Sequence, residues 1–474
     1  VSHAGPDADG PPPPRTAGSR PAHPSPGDGA NGTAGGVHRS RVVAVLGTAV
    51  LVWLMALLCA IAYQPVSLYD EGVHFDYLVK LLDGHALPAV GSVSSELTLH
   101  EWSCRGTVWL TELRCADPVG NDAVPQGGVN YVLMYGPVYY VPTAVLAWLL
   151  QAVTGMSLFL AARIVSSVLF AAGAALMVVA LLRWGVRARV AVAATLLVAA
   201  APAVLFQGAT VTPDALTLGY GAAPLLLVRW RRSYRARMVA AVVVAVAAAL
   251  TKPSYVPIAA VTVLVVALFP APGVPDGSWR PFDRSRVRPV RLVGIAALAA
   301  VPVLVSLLWN LWRTAPLPDG VPADGGLNET LLSTDRSLPA LVLDAFGALL
   351  QPLTIGTWPQ AAHLTTLAQI VQIGLVGGVL VLLVAQAVPW TSVSKWSATA
   401  AAGALVASGI SLPVTFFVLY HATGTQPRYA LVLLPLFAAA VATCVGGRRT
   451  ATTVFVGALG WAAATLLTLL ALAS

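Results

Sequence analysis

Apolar residues in this chain come in long, nearly uninterrupted runs, and the short segments between them hold almost all of its charge. A membrane-crossing helix needs about 20 apolar residues, with a range of roughly 17–25. By that measure spans are predicted near 41–63, 159–182, 190–208, 214–228, 238–251, 254–270, 292–312, 365–386, 397–420, 429–446 and 451–472. The fourth and fifth are short, so tilting or kinking is expected there. Residues 1–40, rich in Pro, Gly, Ala and Ser, lack apolar periodicity and read as a disordered tail. With its PPPP run the tail does not read as a signal peptide, so 41–63 is expected to be a retained helix. The expected fold class is all-α: a polytopic membrane protein in which residues 41–474 form one integral domain.

One apolar stretch complicates this pattern. "LMYGPVYYVPTAVLAWLLQAV" at 133–153 is long enough to cross. Held on one side, as a juxtamembrane or re-entrant helix, it leaves the polar segments sorted by charge. One face then receives 20 of the 28 Lys+Arg and 5 of the 20 Asp+Glu, and the other receives the remainder. If it crossed, every later loop would change sides and the arginine clusters would face outward. The excess of Lys and Arg in cytoplasmic loops selects the first arrangement. It has eleven spans, a cytoplasmic N-terminus, an outer C-terminus, and two large outer loops at 64–158 and 313–364.

Composition agrees with this reading. Hydrophobic residues make up 57% of the chain and charged residues 10%, against about 25% charged in soluble domains. The net charge of +8 does not indicate nucleic acid, because the arginines fall between apolar spans rather than along a stripe with aromatics. Among four cysteines, Cys59 and Cys444 lie inside apolar runs. Cys104 and Cys115 share one outer polar loop and are expected to pair on an oxidising side. No second Cys or His pair has zinc-ligand spacing.

The candidate chemistry lies on the outer face. "SLYDEGVHFDYLVKLLDGH" (67–85) follows the first span and crowds Asp70, Glu71, His74 and Asp76 against the lipid boundary. Its apolar residues Val73, Tyr77, Leu78, Leu81 and Leu82 have amphipathic helical spacing. One alternative is a surface helix with Asp70 as its N-cap, which leaves Glu71 and His74 unexplained. Asp214, after Pro213, either suits a helix dipole or joins Asp70 in a site. Lys252, in "ALTKPSYVP", is either a snorkelling lysine or a point charge for a phosphate. Arg428, in "GTQPRYALVLLP", opens a span on the face where arginine is disfavoured and opposes the helix dipole, so an anion is expected beside it.

In this order the pieces resemble the GT-C superfamily of polytopic glycosyltransferases, which use polyprenyl-phosphate-linked sugars. "YDEGVHFDY" is similar to the acidic motif of their first outer loop, and "MYGPVYYVPTA" to the aromatic–proline stretch after it, with Tyr135-Gly136 where His-Pro is usual. "AAPAVLFQGATVTPDALTL" is similar to the segment carrying their second acidic residue. "TKPSY" and "GTQPRYALVLLP" look closest to a largely uncharacterised bacterial membrane family placed near these enzymes. The resemblance covers roughly 41–446.

It implies sugar transfer from a polyprenyl-phosphate donor to an acceptor hydroxyl on a glycan or glycolipid, at the outer face of a bacterial plasma membrane. Asp70, Glu71 and Asp214 would be catalytic, with Asp70 the general base. His74, Lys252, Gln426, Arg428 and Tyr429 would bind substrate. No cofactor is required, although a divalent cation (Mg or Mn) held by Asp70, Glu71 and Asp214 is compatible with some relatives. Two other classes stay open: a transporter or flippase of polyprenyl-linked saccharides, and a non-catalytic partner of envelope assembly. Neither would need a base.

Overall fold

The computed structural model describes residues 30–67, 70–106, 115, 119–230, 232–268, 289–317, 339, 362–387 and 427–473. Among the described residues every regular element is helical, and extended backbone pairs once, in the antiparallel bridge Val93–Val129. Contacts divide the chain at Ser40, and residues 41–474 form one body. The first seven α-helices are α1 (Ala30–Ala62), α2 (Glu71–Leu82), α3 (Glu96–Arg105), α4 (Tyr140–Thr154), α5 (Leu158–Arg183), α6 (Ala188–Ala199) and α7 (Pro202–Ala209). Then come α8 (Thr217–Val228), α9 (Tyr234–Ala249), α10 (Val256–Leu268), α11 (Pro289–Thr314), α12 (Ala362–Ala387), α13 (Leu434–Ala442) and α14 (Arg448–Ala473). Helix α1 starts at Ala30, ahead of the expected boundary at Arg41.

Among the described residues four helices, α1, α5, α11 and α14, are long and apolar enough to cross a membrane. Helix α5 is the enclosed one, with 61% of its apolar window buried against 22–28% for the other three. Those three turn large apolar side chains outward, among them Leu46, Leu308 and Leu467, as suits an apolar surrounding.

The expected span 190–208 is two helices: α6 and α7 meet at 76°, and Pro202, which has no N–H to donate back to the preceding turn, opens the second. Three further expected spans give helices of 12, 13 and 9 residues, α8, α10 and α13. At 1.5 Å per residue even the longest reaches only about 20 Å, short of the roughly 30 Å hydrocarbon core. Hydropathy overran them because a proline-led 3-10 turn consumes residues ahead of each: Pro213–Leu216, Pro253–Tyr255 and Pro427–Leu433. The span expected at 397–420 lies outside the described residues, as does nearly all of the second outer loop.

The apolar stretch at 133–153 becomes a 3-10 turn, Tyr131–Met134, followed by α4, which has 15 residues and no charge. Val145, Trp148, Leu149 and Val153 on α4 are exposed. With α2, α3 and the first turns of α5, α4 encloses a second core containing Phe75, Tyr77, Leu78, Tyr140 and Phe159. Buried Asp76 ties this module together. It accepts from Lys80 (2.6 Å), the Ser95 N–H (2.7 Å), Thr98 (3.2 Å) and Asn130 (2.6 Å). From α11, Trp309 Nε1 donates to the Met134 carbonyl (2.8 Å) and Arg313 to that of Leu133 (2.8 Å). Helix α2 is therefore no surface helix, since Glu71 through Val79 are all buried.

Candidate functional site

The three proline-led turns share one design. A residue before proline is pushed to extended backbone, and Thr212 (φ −154°, ψ 146°) and Lys252 (φ −159°, ψ 136°) both adopt it. The fixed φ of proline then starts a 3-10 turn that runs into the helix. Asp214, Lys252 and Arg428 all flank these prolines, so the start of each helix delivers one charged group. Close packing brings the turns together: a β-carbon at Gly221 of α8 would overlap Pro435 and the Val432 carbonyl. Likewise a β-carbon at Gly136 would overlap the Leu250 carbonyl, so glycine is what lets the 131–139 segment reach the end of α9.

Two ion pairs meet here. Arg428 Nη2 donates to Asp70 Oδ2 at 2.6 Å, and the Tyr131 hydroxyl donates to Asp70 Oδ1. Lys252 Nζ donates to both oxygens of Asp214, at 2.9 and 2.7 Å. The Tyr255 hydroxyl lies 3.4 Å from Asp214 Oδ1 and donates to the Pro213 carbonyl at 3.0 Å. The Tyr429 ring joins the pairs, with Arg428 Cζ 5.2 Å and Lys252 Nζ 5.4 Å from its centroid, both within cation–π range. The pairs differ in access. Side chains of Asp70 and Arg428 are 19% and 11% exposed, those of Asp214 and Lys252 3% and 2%.

Asp70 sits at the N-cap position of α2 with φ 62°, and its side chain makes no capping bond. The cap alternative is therefore not what is built. Positive φ is uncommon outside glycine but tolerated best by Asn and Asp. Burial alone would raise the Asp70 carboxyl; Arg428 first, then His74 and the bonds from Tyr131 and Arg428, hold it below the ordinary carboxylate range. Burial also pushes His74 down to about 3, with Lys252 and Arg428 adding to the effect against Asp70 and Asp214. The ring is therefore neutral near pH 7, and its Nδ1 shares a 2.7 Å hydrogen bond with the Tyr140 hydroxyl. Tyr131 is raised well above 10, by burial first and Asp70 second, so it stays a donor.

Glu71 does not join this cluster. It pairs with Arg163 of α5 through two bonds, 2.8 and 2.7 Å, in a separate buried node. Gln426 lies outside the described residues. Cys104 and Cys115 are disulfide-bonded. His100, Cys104 and Cys115 bring their ligand atoms within 4.8 Å of one another, but the two sulfurs are spent on each other. A divalent ion held jointly by Asp70, Glu71 and Asp214 does not fit either, because each carboxylate already faces its own cation, Arg428, Arg163 or Lys252.

The reading of the sequence missed Tyr131, Tyr140, Tyr255 and Arg163. For Arg163 the signal was there: a lone arginine inside an apolar run is costly and marks a specific partner. The tyrosines sit in aromatic-rich stretches where nothing separates packing from hydrogen bonding.

Compared with protein-family models, curated proteins and solved structures, the chain matches none of them.

Proposed function

We propose that this protein is a GT-C-like membrane glycosyltransferase, moving a sugar from a polyprenyl-phosphate donor to an acceptor hydroxyl. In this reading the chain has about eleven spans, a cytoplasmic N-terminus, and its site at the outer face of a bacterial plasma membrane. The observation that carries the reading is the accessible Asp70–Arg428 pair beside the enclosed Asp214–Lys252 pair. A lipid-linked phosphate needs buried cations, and an acceptor hydroxyl needs a carboxylate within reach of them.

The step balances on these residues. The acceptor oxygen attacks the anomeric carbon, the bond from that carbon to the phosphate oxygen breaks, and the phosphate leaves with the electron pair. Arg428 and Lys252 take up the charge that develops on it. Asp70 takes the hydroxyl proton. For that it must first be released, because Arg428 and Tyr131 occupy its oxygens. A phosphate can accept two parallel bonds from a guanidinium, and a donor that grips Arg428 in this way releases Asp70 as the base. Asp214 keeps Lys252 charged and in place, and neutral His74 with Tyr131 and Tyr429 lines the sugar side.

The test is mass spectrometry of lipid-linked and envelope glycans in a deletion strain complemented with wild type or Asp70→Asn. Wild type restores a glycan short of one sugar. Asp70→Asn, which keeps shape and tolerates positive φ, does not, since losing a general base costs roughly 10²–10⁴ in rate. Full restoration by Asp70→Asn would favour the flippase instead.

A further inference from the structure

Glu71 follows Asp70 directly yet turns into a node of its own. Its carboxylate accepts four bonds: Arg163 Nε (2.8 Å) and Nη2 (2.7 Å), the Ser67 N–H (2.8 Å) and the Val211 N–H (2.9 Å). Ser67 lies three positions before Asp70, and Val211 three positions before Asp214. One carboxylate therefore grips the backbone leading into both site carboxylates. Arg163 fastens it to the scaffold, donating also to the carbonyls of Ala60 (3.2 Å) in the last turn of α1 and of Tyr63 and Pro65 (2.7 Å) just beyond it. Its guanidinium stacks 4.6 Å from the Phe159 ring of α5.

We infer that Glu71 and Arg163 are positioning residues that set the separation between Asp70 and Asp214. Stability alone is a weak account of this pair, because two buried charges gain little over an apolar pair of the same volume. What the pair supplies is direction. A planar fork against a carboxylate with four occupied acceptor sites admits one arrangement of the segments attached to it. The bond from Ser67 N–H to Glu71 also ties backbone three positions before Asp70 to the residue after it, and the positive φ of Asp70 (62°) persists only where neighbours over-determine it.

The kinetic half of the test rests on the glycosyl-transfer reading; the backbone half does not. Glu71→Gln presents an amide N–H₂ to a ring of donors and risks misfolding. The paired change Glu71→Leu with Arg163→Met leaves no orphan charge and is expected to fold. Amide hydrogen exchange of that variant, in the full chain in detergent, should speed up together in peptides covering 64–71 and 208–214. Transfer should fall by about 10²-fold in kcat, the cost of an ångström-scale misplacement, with donor KM moved by less than about threefold as expected for uniform binding left intact. Arg163→Lys keeps the charge without the fork and should fail to rescue. Faster exchange at 64–71 with 208–214 unchanged would overturn the coupling, and wild-type kcat with both segments loosened would overturn the positioning role. If the wild type transfers nothing, the glycosyltransferase reading fails, and the exchange pattern still decides whether the node couples the two segments.

Discussion

Asp70 and Arg428 are 358 residues apart in the chain and joined by a 2.6 Å contact in the fold. Each is a counterion of the other, so a ligand that takes one must release the other. The site is thus a set of paired charges that an anion can rearrange, rather than an open basic pocket.

Under the proposed function, this exchange makes Arg428 the sensitive point for donor binding. Arg428→Ala should weaken binding of a short-chain polyprenyl phosphate more than Arg428→Lys does, because an ammonium cannot grip two phosphate oxygens. Asp70→Asn should strengthen it, since the competing carboxylate is gone. Isothermal titration in detergent reads all three, and unchanged affinity in Arg428→Ala would make the residue merely interfacial.

Acid should destabilise the protein in two windows. His74 is held near pH 3 when folded and titrates near 6.5 when unfolded. Its contribution is complete above about pH 6.5 and is lost as pH falls, by at most about 1.4 kcal/mol per pH unit. The groups facing it are Asp70, Asp214, Lys252, Arg428 and the Tyr140 hydroxyl. Asp70, lowered in the fold, adds stability present above about pH 4 that disappears below it. Melting in detergent from pH 7 to 4.5 should therefore slope less in His74→Gln than in wild type. An equal slope would place the titration elsewhere.

The enclosed pair behaves differently. Asp214→Asn strands the ammonium of Lys252, which is 2% exposed, and should cost about 3–5 kcal/mol. Asp214→Leu with Lys252→Met should recover most of that in a denaturation series while leaving phosphate binding weak. A double variant as unstable as the single would mean that packing, not the stranded charge, sets the cost.

Topology is checked with exposed positions. His85→Cys, after α2, and Thr154→Cys at the end of α4 should react with an impermeant thiol reagent from the same side of sealed cells. Arg235→Cys should be spared. Protection of Thr154→Cys together with labelling of Arg235→Cys would mean that the 133–153 stretch crosses, and the site would lose its single face.

The chain by itself determined a good deal. Runs of apolar residues require helices in an apolar surrounding, because only helices satisfy every backbone group within one segment. Pro213, Pro253 and Pro427 stand ahead of such runs, and Asp214, Lys252 and Arg428 beside those prolines were legible as candidates. So was a pairing of Cys104 with Cys115, now seen as a bond. Hydropathy could not tell that α6 and α7 break at 76°, since it sums transfer free energy and carries no direction. Nor could it divide the adjacent acids. Asp70 and Glu71 are equal in sequence, and only packing sends one to Arg428 and the other to Arg163. Which cation meets which carboxylate depends on contacts between helices far apart in the chain, and the cost of burying a charge is met only by the partner that the fold brings within about 3 Å.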